Sequence, residues 1–286
     1  ASSVSIPSTD HLSKEIIEKH KKNNPWSYLN IFNPNSENSK SQKEIFTKSR
    51  EQFELMKKKS ILMKDKVKSF YIYKISNKNH NQVGIVGAAK LSAYDNLHIR
   101  GHEEIYFERS QKRLDQIHNL NAQIGPIYVI YPDDIQLAEL IEKQITLKSE
   151  YSFETLDGCL HELWVINEQN IVFKISELFN KINRIYIADG HHRIEALSKL
   201  SEIKKHQNLK HTGEEPYNYF MVAGFPKSQA RILDYNRLIK DLYGYSVNDF
   251  IKQVKKQFFI EKKKDSYSPN EPKSFGMYLD KNWYSI

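Results

Sequence analysis

The stretch from Arg184 to Leu200 limits the possible folds more than any other part of the chain. Residues 184–188 (RIYIA) alternate and are rich in residues that favour strands, which predicts a short strand. Ala196, Leu197 and Leu200 follow at helical spacing, which predicts a helix over residues 190–206. The residues between, Asp189-Gly190-His191-His192-Arg193, must therefore occupy the strand end and the first helical turn.

These five residues carry the groups of an anion site. The first turn of a helix has free N–H groups and the positive end of the helix dipole, which suit a phosphate. Gly190 lets the backbone approach a ligand, and Arg193 offers a guanidinium fork to phosphate oxygens. His191 and His192 add ring nitrogens, and Asp189 offers a carboxylate to a divalent cation or a substrate amine. In the alternative interpretation, Asp189 only caps the helix and the two histidines are exposed without a function. The complete sequence Asp-Gly-His-His-Arg favours a functional site.

The remaining pattern predicts an α+β protein with antiparallel pairs and interspersed helices. The predicted helices cover residues 9–22, 42–59, 103–118, 135–146, 171–182 and 247–258. The predicted strands cover residues 26–32, 70–75, 83–89, 127–131, 151–156, 160–166, 217–224, 275–279 and 283–286.

Composition and missing motifs exclude several classes of protein. The net charge of +8 comes from short, scattered Lys runs that are typical of solvated faces rather than of a nucleic-acid surface. One cysteine, Cys159, excludes a disulfide framework and a CxxC zinc site, and it suits the cytoplasm. No apolar run is long enough to span a membrane. There is no P-loop and no protein-kinase HRD or DFG set, and Gly84 and Gly87 lie inside a predicted strand.

Residues 187–197 resemble the signature of the SerK-like free-serine kinase family of the ParB/sulfiredoxin-like fold, whose hallmark is Asp-Gly-His-His-Arg. Residues 99–104, followed by a helix and by Gly125-Pro126-Ile127-Tyr128-Val129, are similar to that family's upstream His-Glu element. Asp234-Tyr235-Asn236-Arg237 resembles its downstream Tyr-Asn-Arg element. Residues 275–279 with Trp283 match the longer members, long described as a domain of unknown function.

This resemblance implies a ParB/sulfiredoxin-like mixed sheet with helices over residues 67–286, with a β-rich insertion around residues 132–183. An N-terminal helix-strand segment, residues 1–66, would precede it. The implied reaction is Mg²⁺-dependent transfer of a phosphoryl group from ATP or ADP to free L-serine, without a membrane or nucleic-acid partner.

The same resemblance assigns roles to the site residues. Glu103 would be the catalytic base, although stabilisation by the helix dipole is a complete alternative for a Glu at a helix start. Asp189 would bind Mg²⁺ or the serine amine. The phosphate ligands would be Gly190, His191, His192 and Arg193, assisted by Arg100, His102 and Arg237. Trp164 is expected in the core rather than at a ligand.

Three other functions are weighed against this one. A sulfiredoxin-like reductase needs a reactive Cys at the position of His191, and Cys159 lies in another segment. A ParB-like DNA-binding protein needs a helix-turn-helix, and none is visible after Arg193. A nucleotide hydrolase, or a kinase of another small hydroxylated metabolite, fits the same motifs, because a fold does not fix a substrate.

Overall fold

The computed structural model describes residues 1–6, 13–32, 41–234 and 236–286. These residues form helices and a large mixed sheet, which confirms the predicted α+β class. They divide into two compact units, Ala1–Ala230 and Arg231–Ile286, and each is described by itself. The boundary expected between residues 66 and 67 stays a prediction.

The first unit is built on a sheet to which the described residues contribute eight strands. They are β1 (Phe70–Ser76), β2 (Asn81–Lys90), β3 (Ile99–Arg100), β4 (Ile127–Tyr131), β5 (Tyr151–Glu154), β6 (Leu160–Ile166), β7 (Ile185–Asp189) and β8 (Tyr219–Pro226). Their order across the sheet is β3-β7-β4-β8-β2-β1-β6-β5. The pairs β3–β7 and β4–β8 are parallel, and the other neighbours are antiparallel.

The first unit also contains helices in its described part. They are α1 (Lys14–Asn23), α2 (Leu29–Phe32), α3 (Gln42–Lys58), α4 (Ser92–Asp95), α5 (Phe107–Leu120), α6 (Ile135–Ile145), α7 (Gln169–Lys181) and α8 (His191–Gln207), with 3-10 turns at Pro216–Asn218 and Lys227–Gln229. Short polar side chains fix several helix starts. Ser13, Ser41 and Asp134 each accept a hydrogen bond from a backbone N–H of the following first turn.

Apolar side chains at strand and helix periodicity build one main core. In β4, the alternate residues Ile127, Val129 and Tyr131 are all buried. Ile187 of β7 and Ile194 of α8 are buried in the same cluster. This packing holds β7 and α8 at a fixed angle to β4, and so fixes the turn between them.

The sheet topology brings two chain segments to one edge. β3 runs parallel to β7, with Ile99 opposite Ile185 and Arg100 opposite Tyr186. Because parallel strands end at the same edge, the segment that follows Arg100 emerges beside the turn that follows Asp189. The two motifs found in the sequence therefore meet in space.

The segment 132–183 extends the same sheet rather than forming a separate layer. Strand β6 pairs with β1, with Ile72 opposite Trp164, and β5 forms the sheet edge. Trp164 is buried, and its indole N–H donates to the carbonyl of Leu147 at 2.8 Å. The segment is not β-rich as expected, because α6 and α7 contain more of its residues than the two strands do.

Two sequence predictions about local structure are wrong. Residues 29–32 form the short helix α2 instead of a strand, since Asn30 and Ile31 donate to the carbonyls of Ser27 and Tyr28 and need no partner strand. The helix expected from residue 103 begins at Phe107, after an extended N-cap at Tyr106. The start of the helix predicted over residues 9–22 lies partly outside the described residues, which show α1 from Lys14.

The second unit contains the helix α9 (Val247–Lys255) and a three-stranded antiparallel sheet among its described residues. The sheet order is β10-β11-β9, from β9 (Glu261–Lys263), β10 (Gly276–Leu279) and β11 (Asn282–Ser285). Neither unit has, in its described portion, a helix that is long and apolar enough to cross a membrane.

Candidate functional site

The turn between β7 and α8 depends on Gly190. Its φ of +105° lies in the left-handed region, where residues with a side chain are strained. A Cβ at this position would lie 3.0 Å from Cδ1 of Ile127 and 3.2 Å from Nε of Arg193. The backbone conformation therefore favours glycine here, and a Cβ would in addition require small shifts of the Ile127 and Arg193 side chains.

Arg193 lies in the first turn of α8 and is anchored on both sides. Its Nη1 donates to the carbonyl of Pro126 at 2.5 Å, and its Nη2 donates to the carboxylate of Asp189. A Cβ on Gly125, whose φ is +92°, would lie 3.0 Å from the same Nη1. The Gly125-Pro126 turn before β4 thus shapes the space that the guanidinium group of Arg193 occupies.

His191 connects the two motifs. Its side chain is only 3% exposed, and its Nδ1 lies 3.2 Å from Oε2 of Glu103. The backbone N–H of His102 donates to Nε2 of the same ring at 3.2 Å. Since Nε2 accepts a hydrogen bond, the proton of the neutral ring must be on Nδ1, the nitrogen that faces the Glu103 carboxylate.

The surroundings of His191 favour the neutral form of its ring. Burial lowers its pKa from the usual 6.5, and this effect outweighs the nearby Glu103 carboxylate, which raises it. Gly101 makes room for the ring, because a Cβ there would lie 3.0 Å from Cδ2 of His191. The helix-start explanation of Glu103 is wrong, since its 56% exposed side chain precedes α5 and is held by His191.

The other predicted residues of this motif differ in their contacts. Nδ1 of His192 is buried and has no hydrogen-bond partner among the described residues, and its ring lies 6.0 Å from that of Tyr106. His102 is exposed and packs edge-on against His191, with 4.6 Å between the ring centroids. Arg100 contacts its own strand end, because its Nε donates to the carbonyl of Leu97 at 2.9 Å.

The site in the first unit thus unites Glu103, His102, His191, Arg193 and Asp189. Arg237 lies in the second unit, and Tyr235 of the same predicted element lies outside the described residues. The role predicted for Arg237 stays a prediction.

Sequence reasoning missed two residues beside this site, Arg113 and Tyr28. Arg113 of α5 is half-buried, and its pKa is lowered first by burial and then by the positive charge of Arg193. Burial raises the pKa of Tyr28, while the charges of Arg193 and Arg113 oppose the rise. The sequence does contain one signal for Arg113. It lies three, four and seven residues before Gln116, Ile117 and Leu120, a spacing that puts it on the buried face of its helix.

The fold and the site define an α+β protein with paired acidic and basic groups where a strand passes into a helix. The chain belongs to the family described as protein of unknown function (DUF1015), whose model matches residues 1–286. A search of curated proteins and a search of solved structures give no match.

Proposed function

We propose that this protein is a phosphotransferase that moves a phosphoryl group from ATP or ADP to free L-serine, giving O-phospho-L-serine, on a ParB/sulfiredoxin-like core. The observation that carries the proposal is that His191, in the first turn of α8, holds the Glu103 carboxylate. This contact supports the proposal, because it keeps a carboxylate that could act as a base close to the first turn of α8. The choice of serine rests on the family resemblance of residues 187–197.

The phosphate site would consist of backbone groups and one guanidinium. The first intrahelical bonds of α8 are donated by Arg193 and Ile194 to the carbonyl of Gly190, at 2.9 and 3.0 Å. The N–H groups of His191 and His192 precede these bonds and point toward the helix N-terminus, where the dipole favours an anion. Arg193 has a side chain that is 24% exposed and would add a charged donor.

We propose different roles for the two histidines. Both ring nitrogens of His191 already have partners, so we give it the role of positioning Glu103 rather than of contacting phosphate. His192 has a ring nitrogen without a partner among the described residues, and we keep it as a phosphate ligand.

In the reaction, the serine hydroxyl oxygen would form a bond to the terminal phosphorus of the nucleotide. The bond from that phosphorus to the bridging oxygen would break, and the remaining nucleotide would leave with the electron pair. Glu103 would accept the hydroxyl proton, and Arg193 would stabilise the charge on the transferred group.

The residues present fit a magnesium ion. Asp189 has a 72% exposed carboxylate of which one oxygen binds Arg193, and Mg²⁺ on nucleotides commonly needs one or two protein carboxylates, with phosphate oxygens and water as the other ligands. The described residues contain no group of three His, Cys, Asp or Glu side chains arranged to hold a metal alone. Asp189 would hold the ion, which would neutralise phosphate charge.

The test is phosphorus NMR of the protein with Mg²⁺, L-serine and either ATP or ADP. We expect a phosphoserine signal that is lost in Glu103→Gln and in Asp189→Asn. Glu202→Gln, which removes an exposed carboxylate farther along α8, is the matched control and should retain the activity. Nucleotide loss without phosphoserine would favour a hydrolase or a kinase of another hydroxylated metabolite. If neither nucleotide is consumed, the kinase proposal is wrong.

A further inference from the structure

The start of α5 exposes two adjacent aromatic rings. Tyr106 is the N-cap residue of this helix and Phe107 is its first residue. Tyr106 is 59% exposed and Phe107 is 68% exposed. Single apolar side chains are common on protein surfaces, but adjacent exposed rings form a patch, and such patches often mark binding sites. The pair follows Glu103, the candidate base, by only three and four residues.

Tyr106 does not stabilise the start of its own helix. Its side chain makes no capping hydrogen bond to any described residue of α5. Short polar side chains are the ones that stabilise an N-cap position, and Ser13, Ser41 and Asp134 have this role in α1, α3 and α6. A large ring where a short polar side chain would be more stable is typical of a residue that is kept for a function.

The backbone that carries the two rings is held in place. The N–H of Ser110 donates to the carbonyl of Tyr106 at 3.2 Å, and the Ser110 hydroxyl donates to the carbonyl of Phe107 at 2.9 Å. Ser110 itself is buried. The rings are therefore attached to an ordered helical turn, so that a flat ligand can stack on them without the cost of ordering a loop.

Each ring also has a cation beside it. The guanidinium carbon of Arg109 lies 5.3 Å from the centre of the Tyr106 ring. Nζ of Lys199 lies at the same distance, 5.3 Å, from the centre of the Phe107 ring. These are cation–π distances, which help to orient the rings. Since more than half of each aromatic residue is still exposed, ring surface remains for a ligand, and the two cations favour one that carries negative charge.

The aromatic pair lies next to the candidate phosphate site. The ring of Tyr106 lies 6.0 Å, between centroids, from the ring of His192 in the first turn of α8. Lys199, which lies beside Phe107, is about two turns farther along the same helix. A nucleotide with its phosphates at the first turn of α8 therefore has these rings within the reach of its base, because only the ribose separates the base from the phosphates.

We propose that Tyr106 and Phe107 form a stacking platform for the base of the nucleotide substrate. Stacking on an aromatic surface suits any base, because every base has a π face. The platform contributes to the affinity for the nucleotide and takes no part in the transfer of the phosphoryl group. The identification of the flat ligand as a nucleobase rests on the proposed function, whereas the exposed aromatic pair does not.

Calorimetric titration with ADP and with pyrophosphate, both in the presence of Mg²⁺, tests the platform without requiring turnover. Tyr106→Ser and Phe107→Leu should each weaken ADP about ten-fold, the loss expected when a base loses an aromatic partner, and should leave pyrophosphate binding unchanged. Phe173→Leu is the matched control. It removes a ring that is 70% exposed on α7 and should change the binding of neither ligand.

Thermal unfolding of the same variants guards against a folding defect. Tyr106→Ser places a capping side chain at the start of α5, so it should raise the melting temperature while it weakens ADP. Tyr106→Phe, which keeps the ring, should bind ADP as tightly as the wild type. A loss of ADP affinity in a more stable variant cannot be attributed to unfolding.

Unchanged ADP binding in Tyr106→Ser and Phe107→Leu, or equal weakening of ADP and pyrophosphate, would overturn the platform. Absence of ADP binding by the wild type would overturn it as well. Phosphoserine formation together with normal ADP binding in both variants would reject the platform and retain the serine kinase. The expected binding pattern without phosphoserine formation would reject the serine kinase and retain the platform.

Discussion

Oε2 of Glu103 lies 3.2 Å from Nδ1 of His191, so that the segment after β3 is bound to the first turn of α8. The backbone N–H of His102 donates to the other nitrogen of the same ring. The two motifs that are distant in sequence are therefore one structural unit, and a substitution in either should alter the conformation of the other.

Glu103→Gln should lower the activity and leave the stability nearly unchanged. The side chain is 56% exposed, so removal of its charge should change the free energy of unfolding by less than about 1 kcal/mol. If Glu103 is the base, the turnover rate should fall at least 100-fold. Urea unfolding and the phosphorus NMR assay measure the two effects, and a large loss of stability with normal turnover would contradict the assignment.

His191→Asn should act through Glu103. We expect a lower kcat with an unchanged KM for the nucleotide, because the ring positions the base and does not contact phosphate. The buried site should also lose about 1–3 kcal/mol of stability, as hydrogen-bonding groups are left unpaired. A rise in KM with normal kcat would instead assign His191 to nucleotide binding. His118→Asn, at an exposed position of α5, is the control.

Gly190→Ala should destabilise the protein by about 2 kcal/mol, since φ is +105° and the new Cβ would press on Ile127 and Arg193. Gly213→Ala provides a matched control, because Gly213 has a φ of +93° with open space around the Cβ position. Urea unfolding of both variants separates backbone strain from crowding. If the two variants lose the same free energy of unfolding, crowding around the new Cβ at position 190 adds nothing to the backbone strain.

The strand-turn-helix at residues 184–206 could be predicted because its periodicity and its glycine are local signals. Strand β4 was predicted at its observed bounds, 127–131, for the same reason. Residues 26–32 also look like a strand, but their backbone hydrogen bonds close locally and Ile31 packs against Met56. The start of α5 was misplaced because Glu103 is held by a residue 88 positions later, and a contact of that kind leaves no local pattern. Arg113 and Tyr28 were missed because their importance depends on Arg193, which the fold brings near.

Asp189→Asn should distinguish a functional carboxylate from a structural one. Its ion pair with Arg193 is at the surface, where the Asp side chain is 72% exposed, so the stability cost should remain below about 1 kcal/mol. If Asp189 holds Mg²⁺, the concentration of Mg²⁺ needed for half-maximal activity should rise at least ten-fold. Titration of Mg²⁺ into the assay measures this change. An unaltered Mg²⁺ dependence would place the ion elsewhere.

Mild acid should destabilise the protein through His191, which is buried, and His161, which is partly buried. Burial lowers the pKa of both His191 and His161 below the usual 6.5 of an unfolded histidine. Between those values the unfolded chain binds more protons than the folded one, so stability falls as pH drops below 6.5. The loss stops growing once the pH is below the folded-state pKa values. Urea unfolding at about pH 7.5 and 5.5 should show this decrease, in the range where histidine is the main titrating side chain.

The same comparison in His191→Gln and His161→Gln identifies the residues responsible. Each variant should show a smaller difference between the two pH values than the wild type, because one histidine no longer takes up a proton on unfolding. His118→Gln, at an exposed position, should retain the wild-type difference. If the pH dependence is the same in all three variants, burial of these two rings does not cause the loss of stability in acid. That result would also contradict a neutral His191 beside Glu103.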